Sequence, residues 1–109
     1  MLDLIIKNGS CFVNGSLKKL DISVKDGKIN EIGKIASNAK EVFDAEDLIV
    51  LPGCIDTQVH FREPGSTDTE DLHSGSRAAI IGGITAVFEM PNTNPPTANK
   101  TEFQRKLDL

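Results

Sequence analysis

Apolar and polar positions alternate with a period of two through most of the first fifty residues, and a helical period takes over in parts of the remainder. The chain is therefore expected to open β-rich and to continue as α/β. LDLIIKNG, CFVNG, LDISVKDGKINEIG and VFDAEDLIVLPG are short β-type runs broken by turn residues. Asn8-Gly9, Asn14-Gly15 and Asp26-Gly27 each read as hairpin turns, because a type I′ turn needs positive φ at both central positions and these residues tolerate it. Leu20, Ile22 and Val24 alternate with Asp21, Ser23 and Lys25, and Ile29 and Ile32 follow the turn at Asp26. This half is expected to be a small antiparallel sheet with one buried face.

After Pro52-Gly53 the pattern changes, which sets the expected boundary between a segment 1–52 and a segment 53–109. Cys54 to Phe61 reads as a strand. Ser66 to Ile81 reads as a helix, with Thr67 and Glu70 as a capping box, Leu72, Ser76, Ala79 and Ile80 as the packed stripe, and Gly82-Gly83 as its end. Ile84 to Met90 is a nearly continuous apolar strand, as in a sheet covered on both faces. A proline-rich loop, PNTNPPT, leads to a second helix that starts at Asn99 with Glu102 and carries Phe103 and Leu107 on one side. Strand, helix, strand, helix in this order gives two βα units of parallel-sheet type. A closed eight-stranded barrel needs roughly 250 residues, so the chain is expected to be part of something larger.

Composition narrows the function classes. The 109 residues carry a net charge of -4, with 39% hydrophobic and 26% charged positions. No Lys/Arg stripe or interleaved aromatics supports a nucleic-acid surface. Asp3 interrupts the first apolar stretch, no basic segment precedes it, and no run reaches spanning length. The expectation is a cytoplasmic protein with a small-molecule substrate and no membrane or nucleic-acid partner. Cys11 and Cys54 form no CxxC pair and read as buried small hydrophobes.

Chemistry concentrates in DTQVHFREPG, Asp56 to Gly65, where Asp56, Gln58, His60 and Arg62 occupy alternate positions at the end of a strand and so share a face. Functional groups of α/β sheets gather at the carboxyl ends of strands. The loop after the second strand, MPNTNPP, adds Asn92. His60 offers a nitrogen ligand suited to zinc, and Asp56 either a further oxygen ligand or an orienter of that imidazole. Arg62 is a planar clamp for a carboxylate, and Asn92 an amide beside it. The plainer alternatives are an Asp56–Arg62 ion pair and simple turn chemistry at Asn92 to Asn94. His73 reads as a solvated or interface residue, Glu63 as a cap or bridge within its loop, and Glu89 as a strand-end charge with no assigned role. By themselves these residues indicate a polar site and no particular reaction.

LPGCIDTQVHFREPG followed by GGITAVFEMPNTNPP resembles the N-terminal portion of the class I dihydroorotases, in the cyclic amidohydrolase superfamily. The resemblance covers the whole chain. It implies that 1–52 is part of a flanking composite β-sandwich and that 53–109 holds the first two βα units of a metal-dependent (β/α)8 barrel. The implied activity is reversible hydrolysis of dihydroorotate to N-carbamoyl-aspartate in pyrimidine biosynthesis, by hydroxide bound to one or two Zn²⁺ ions. Carried over by position, His60 matches the second His of the family's Asp-x-His-x-His metal motif and Asp56 its leading Asp. Arg62 matches the arginine that holds the substrate carboxylate, and Asn92 the substrate-binding Asn. Gln58 stands where the motif has its first His, and a neutral amide oxygen is a much weaker zinc ligand. The remaining ligands and the catalytic Asp are expected beyond Leu109, with no catalytic residue inside the chain.

Two further readings compete. In one, the product is a truncated or degenerate, non-catalytic dihydroorotase-like binding or assembly module. In the other, the enzyme class is kept and the ring is allantoin or a hydantoin. An incomplete barrel also leaves Ile84 to Met90 as a parallel edge, so self-association is expected, with strands exchanged between copies.

Overall fold

The structure is a computed structural model that describes residues 1–109 and falls into two compact units, Met1–Pro52 and Gly53–Leu109. In the first unit β1 (Leu2–Val13), β2 (Ser16–Lys25), β3 (Lys28–Gly33), β4 (Ala39–Asp44) and β5 (Ile49–Val50) form one sheet. Its order is β3-β2-β1-β4, with β5 also pairing β1. Two of the three expected hairpin turns are present: φ is 51° at Asn14 and 79° at Gly15, and 51° at Asp26 and 71° at Gly27. Positive φ at both central residues matches the right-handed twist of the flanking strands.

The third dipeptide, Asn8-Gly9, is not a turn. Asn8 has φ 61° inside β1, where the pairing with β2 shifts between Ile6 and Gly9. The left-handed residue is absorbed as a β-bulge, which kinks the strand instead of reversing it. Asn8 is held there by its backbone N–H donating to Asp21 Oδ1 at 3.0 Å and its side-chain amide donating to Asp44 Oδ1 at 2.9 Å.

The sheet is also mixed where an antiparallel one was expected, because β4 and β5 run parallel to β1. Between β3 and β4 the chain has to return to the start of β1, and this connection buries Ile35, 5% exposed. Its N–H donates to Asp21 Oδ2 at 3.1 Å. The buried side of β2 is not the apolar one. Ser23, opposite Ile5, is fully buried along with Ile5, while Leu20, Ile22 and Val24 stay half-exposed. The Ser23 hydroxyl accepts from the Asn30 amide at 3.3 Å, so its burial leaves no orphaned polar atom. Cys11 is buried as expected.

In the second unit β6 (Cys54–Val59) and β7 (Ile84–Glu89) are parallel neighbours, with α1 (Leu72–Ile81) between them in sequence and α2 (Lys100–Leu107) after them. The α1 helix starts six residues later than the expected start at Ser66. Asp71, not Thr67, caps it: the Asp71 carboxylate accepts from Ser74 N at 2.6 Å, and Ser74 Oγ accepts from Asp71 N at 3.1 Å. The stretch from Ser66 to Glu70 is occupied by turns, with Ser66 O accepting from Thr69 N and Glu70 N. A second carboxylate supports the start, since Glu63 Oε2 accepts from Leu72 N at 2.8 Å. Two acceptors in the first turn satisfy donors that a helix end otherwise leaves free. The other end is as expected, with Gly82 at the C-cap and Gly83 at φ 84°.

Asn99 caps α2 through Glu102 N at 3.0 Å. Gly75 is the buried position of α1, and a Cβ there would lie 2.6 Å from the Phe61 ring. This brings the helix down onto the residue that follows β6. Ile55 of β6 and Phe88 of β7 are nevertheless 61% and 60% exposed. Cys54 is exposed too, against the expectation of burial, and Ile80 of the proposed stripe is 70% exposed. The second unit therefore has little core, with Phe61, 8% exposed, as its one buried large side chain. No helix is long and apolar enough to cross a membrane.

Candidate functional site

The site lies where the two strands of the second unit release their loops. β6 and β7 pair up to Val59 opposite Glu89, and Met90 N donates to Val59 O at 3.0 Å. The segments His60–Gly65 and Met90–Pro96 then run side by side. Asn94 N donates to Pro64 O at 2.9 Å, and the backbone of Asn94 comes so near Gly65 that a Cβ there would sit 2.7 Å from the Asn94 carbonyl oxygen. Gly65 has φ 118°, a conformation that side-chain-bearing residues avoid. Only glycine meets both demands.

A cleft of about 90 Å³ opens between these loops, lined by His60, Phe61, Arg62, Pro64, Ser66, Asn92, Thr93 and Asn94. Three of the five expected site residues therefore meet there. His60 Nδ1 and Asn92 Oδ1 are 2.8 Å apart. With Nδ1–H as donor to that oxygen, Nε2 keeps its lone pair and the amide NH2 of Asn92 is left for another acceptor. Arg62 is exposed and forms none of the three salt bridges in the protein. No ion pair joins Arg62 to Asp56. Its guanidinium remains a planar donor array facing solvent at the mouth of a polar cleft.

Asp56 and Gln58 are not part of these walls. Asp56 is half-buried in β6, and its Oδ1 accepts from Gln58 N at 3.0 Å, while Gln58 is exposed. The pairing of β6 with β7 shifts between Asp56 and Val59, which breaks the strict alternation that would have carried all four side chains to one point. His73 is exposed on α1. No three His, Cys, Asp or Glu side chains come together in a way that could hold a metal ion. A zinc centre with three protein ligands therefore does not fit these residues alone, since His60 is the only imidazole at the cleft.

Two residues that the sequence pattern did not assign complete the frame. Glu89 Oε2 accepts from Phe61 N at 3.0 Å, and its Oε1 accepts from Lys106 Nζ at 3.1 Å. The only advance signal was a charged residue closing an otherwise apolar strand.

The model of the amidohydrolase family matches residues 49–107, which include both loops. A dihydroorotase of Methanosarcina acetivorans is 46% identical over 100% of this chain and 24% of its own length. An allantoinase of Escherichia coli is 45% identical over 97% of this chain and 24% of its own. Among solved structures, an L-hydantoinase (dihydropyrimidinase) from Arthrobacter aurescens superposes with TM-score 0.87 at 34% identity, covering 97% of this chain and 24% of that one. An N-acyl-D-glutamate deacylase from Bordetella bronchiseptica, complexed with zinc and a phosphonate inhibitor, gives 0.62 at 31% identity over 79% of this chain and 18% of that one. The chain thus spans about a quarter of the length of the curated relatives it matches. Its mixed fold, mostly β with two short helices, is that of the N-terminal part of the amidohydrolase fold.

Proposed function

The chain belongs to the amidohydrolase family, and from that premise we propose that it supplies part of the substrate-binding site of a hydrolase that opens cyclic amides, with dihydroorotate as the ring. Residues 1–52 take the role of the flanking β segment in this reading, and residues 53–109 that of the first two βα units of the barrel. The observation that carries the choice of ring is the unpaired guanidinium of Arg62 in one cleft with His60 and Asn92. Dihydroorotate bears a free carboxylate, which a guanidinium binds through two parallel charge-assisted hydrogen bonds. The Asn92 amide, turned by its bond to His60, supplies a second donor to the same anion. Allantoin and simple hydantoins carry no such group.

The metal in this proposal is zinc, as in the deacylase complex. His60 is its one strong ligand from this chain, with Asp56 and Gln58 as weaker oxygen candidates. The other ligands would come from groups outside these residues.

Two other readings have support of their own. Allantoinase relatives match at nearly the same identity as dihydroorotases, 45% against 46%. The non-catalytic module is motivated by Gln58, whose neutral amide oxygen is a weaker zinc ligand than an imidazole. One experiment addresses all three: binding and turnover of dihydroorotate, allantoin and hydantoin by the protein with stoichiometric zinc, alongside Arg62→Met. Calorimetry is expected to show dihydroorotate binding that weakens by about 2 to 3 kcal/mol in the variant, the worth of a charge-assisted pair. Equal affinity in wild type and variant would remove the carboxylate clamp. Allantoin bound more tightly than dihydroorotate would move the substrate to the other ring, and binding without turnover would favour the module.

A further inference from the structure

Beyond Val59 the two strands no longer pair, so the ladder ceases to fix the backbone one residue before the cleft begins. A side chain takes over at that point. Glu89, the last residue of β7, receives the N–H of Phe61 on Oε2 at 3.0 Å. That N–H belongs to the peptide joining His60 to Phe61, and Arg62 follows directly. The other oxygen of the same carboxylate receives Lys106 Nζ from α2 at 3.1 Å, and Lys106 also reaches Met90 O at 3.5 Å. The two side chains are only 18% and 11% exposed.

We propose that Glu89 and Lys106 are positioning residues of the cleft: Glu89 orients the His60–Phe61 peptide and thereby His60 and Arg62, and Lys106 fixes Glu89 by charge. The inference deepens the preceding reading and rests on it for the identity of the cleft. A Glu in so little solvent is costly unless paired, and a pair that served only to attach α2 would have no need of the Phe61 N–H. The carboxylate instead spans three segments: the exit of β6, the exit of β7 and α2. Through Met90 the lysine also reaches the loop that carries Asn92, so both walls of the cleft lead back to one ion pair. Gly75 against the Phe61 ring holds the same residue from the helix side.

The test compares Glu89→Ala, Glu89→Gln and Lys106→Met with the unsubstituted protein. NMR reads the Phe61 amide exchange rate and the side-chain amide resonance of Asn92, neither of which needs a substrate. Glu89→Ala is expected to speed Phe61 exchange by about ten-fold relative to Val59 and to shift the Asn92 resonance, as loss of a charge-assisted acceptor would. Glu89→Gln keeps an acceptor and is expected to restore most of the protection, and Lys106→Met is expected to fall between the two. If Glu89→Ala does not fold, the other two variants decide, because Phe61 protection in Lys106→Met equal to wild type would overturn the proposal. So would variants that lower the melting temperature while Phe61 and Asn92 stay unmoved, the behaviour of a simple helix anchor. In calorimetry, affinity for dihydroorotate is expected to fall about ten-fold in Glu89→Ala and to recover in Glu89→Gln. Failure of the unsubstituted protein to bind or turn over dihydroorotate would sink the substrate reading and leave the NMR comparison to decide this one.

Discussion

Single residues set the geometry of the cleft, and two of them show the limits of reading a sequence locally. Arg62 was recognisable because a guanidinium beside an imidazole at a strand end has little use in a core. Glu89 was equally visible but uninterpretable, since its partners, Phe61 N and Lys106, lie in segments whose proximity only the fold reveals. Gly75 belongs to the same class: in the sequence it is a helix-weakening residue, and in the structure it is where the Phe61 ring fits against α1. Gly75→Ala is therefore expected to destabilise the protein despite the better helix propensity of alanine. Overpacking at a 2.6 Å contact should cost roughly 1 to 3 kcal/mol, measured as a shift of the denaturant midpoint. An unchanged or raised midpoint would mean that Phe61 can move aside, and the support ascribed to it would fall with that result.

At the scale of elements, the sequence was informative wherever local φ demands or caps decide the outcome and misleading wherever two local signals compete. Asn14-Gly15 and Asp26-Gly27 turn as their residue types require, yet the identical Asn-Gly at Asn8 is pulled into a bulge by Asp21 and Asp44 from neighbouring strands. Thr67 with Glu70 and Asp71 with Ser74 both offer a helix start. The second prevails, with Glu63 adding a bond to Leu72 N that no local pattern contains. Its electrostatics give a pH dependence. The Asp71 carboxyl is held below its ordinary range, first by the backbone N–H of Ser74 and then by the Ser74 side chain. A depressed folded value means that the ionised cap contributes stability above the unfolded carboxylate range, near pH 4, and that this is lost as pH falls through the folded value. Asp71→Ala should accordingly lower helicity at neutral pH and flatten its acid dependence, as followed by circular dichroism. A variant as helical as wild type at pH 7 would return the start to Thr67.

For the whole molecule, the sequence conveyed the order of β and βα segments but not which surfaces are covered. Ser23 is buried while Leu20, Ile22 and Val24 are half-exposed, because the period of a strand does not say which of its two faces the fold will cover. The apolar character of Ile84 to Met90 promised a sheet covered on both sides, while Phe88 in β7 is 60% exposed and Ile55 beside it in β6 61%. Open strand edges next to exposed apolar side chains favour pairing with another chain. Light scattering is expected to give a mass above that of one chain, and Phe88→Lys to shift it toward the monomer. A monodisperse monomer at high concentration would contradict that expectation.

Both walls of the cleft come from the loops that follow β6 and β7, His60–Gly65 and Met90–Pro96, clasped by a backbone bond from Asn94 to Pro64. Such an arrangement separates inheritance of the scaffold from inheritance of the preference. If these loops hold the ring, as proposed, changes inside one short stretch of gene would alter what is bound while the strands, caps and packing glycines around it stay the same. Overall identity to a dihydroorotase and to an allantoinase can then be nearly equal, 46% and 45%, because most of the compared positions record ancestry. Within this chain, the positions that bear on the proposed preference are accordingly to be sought between His60 and Pro96.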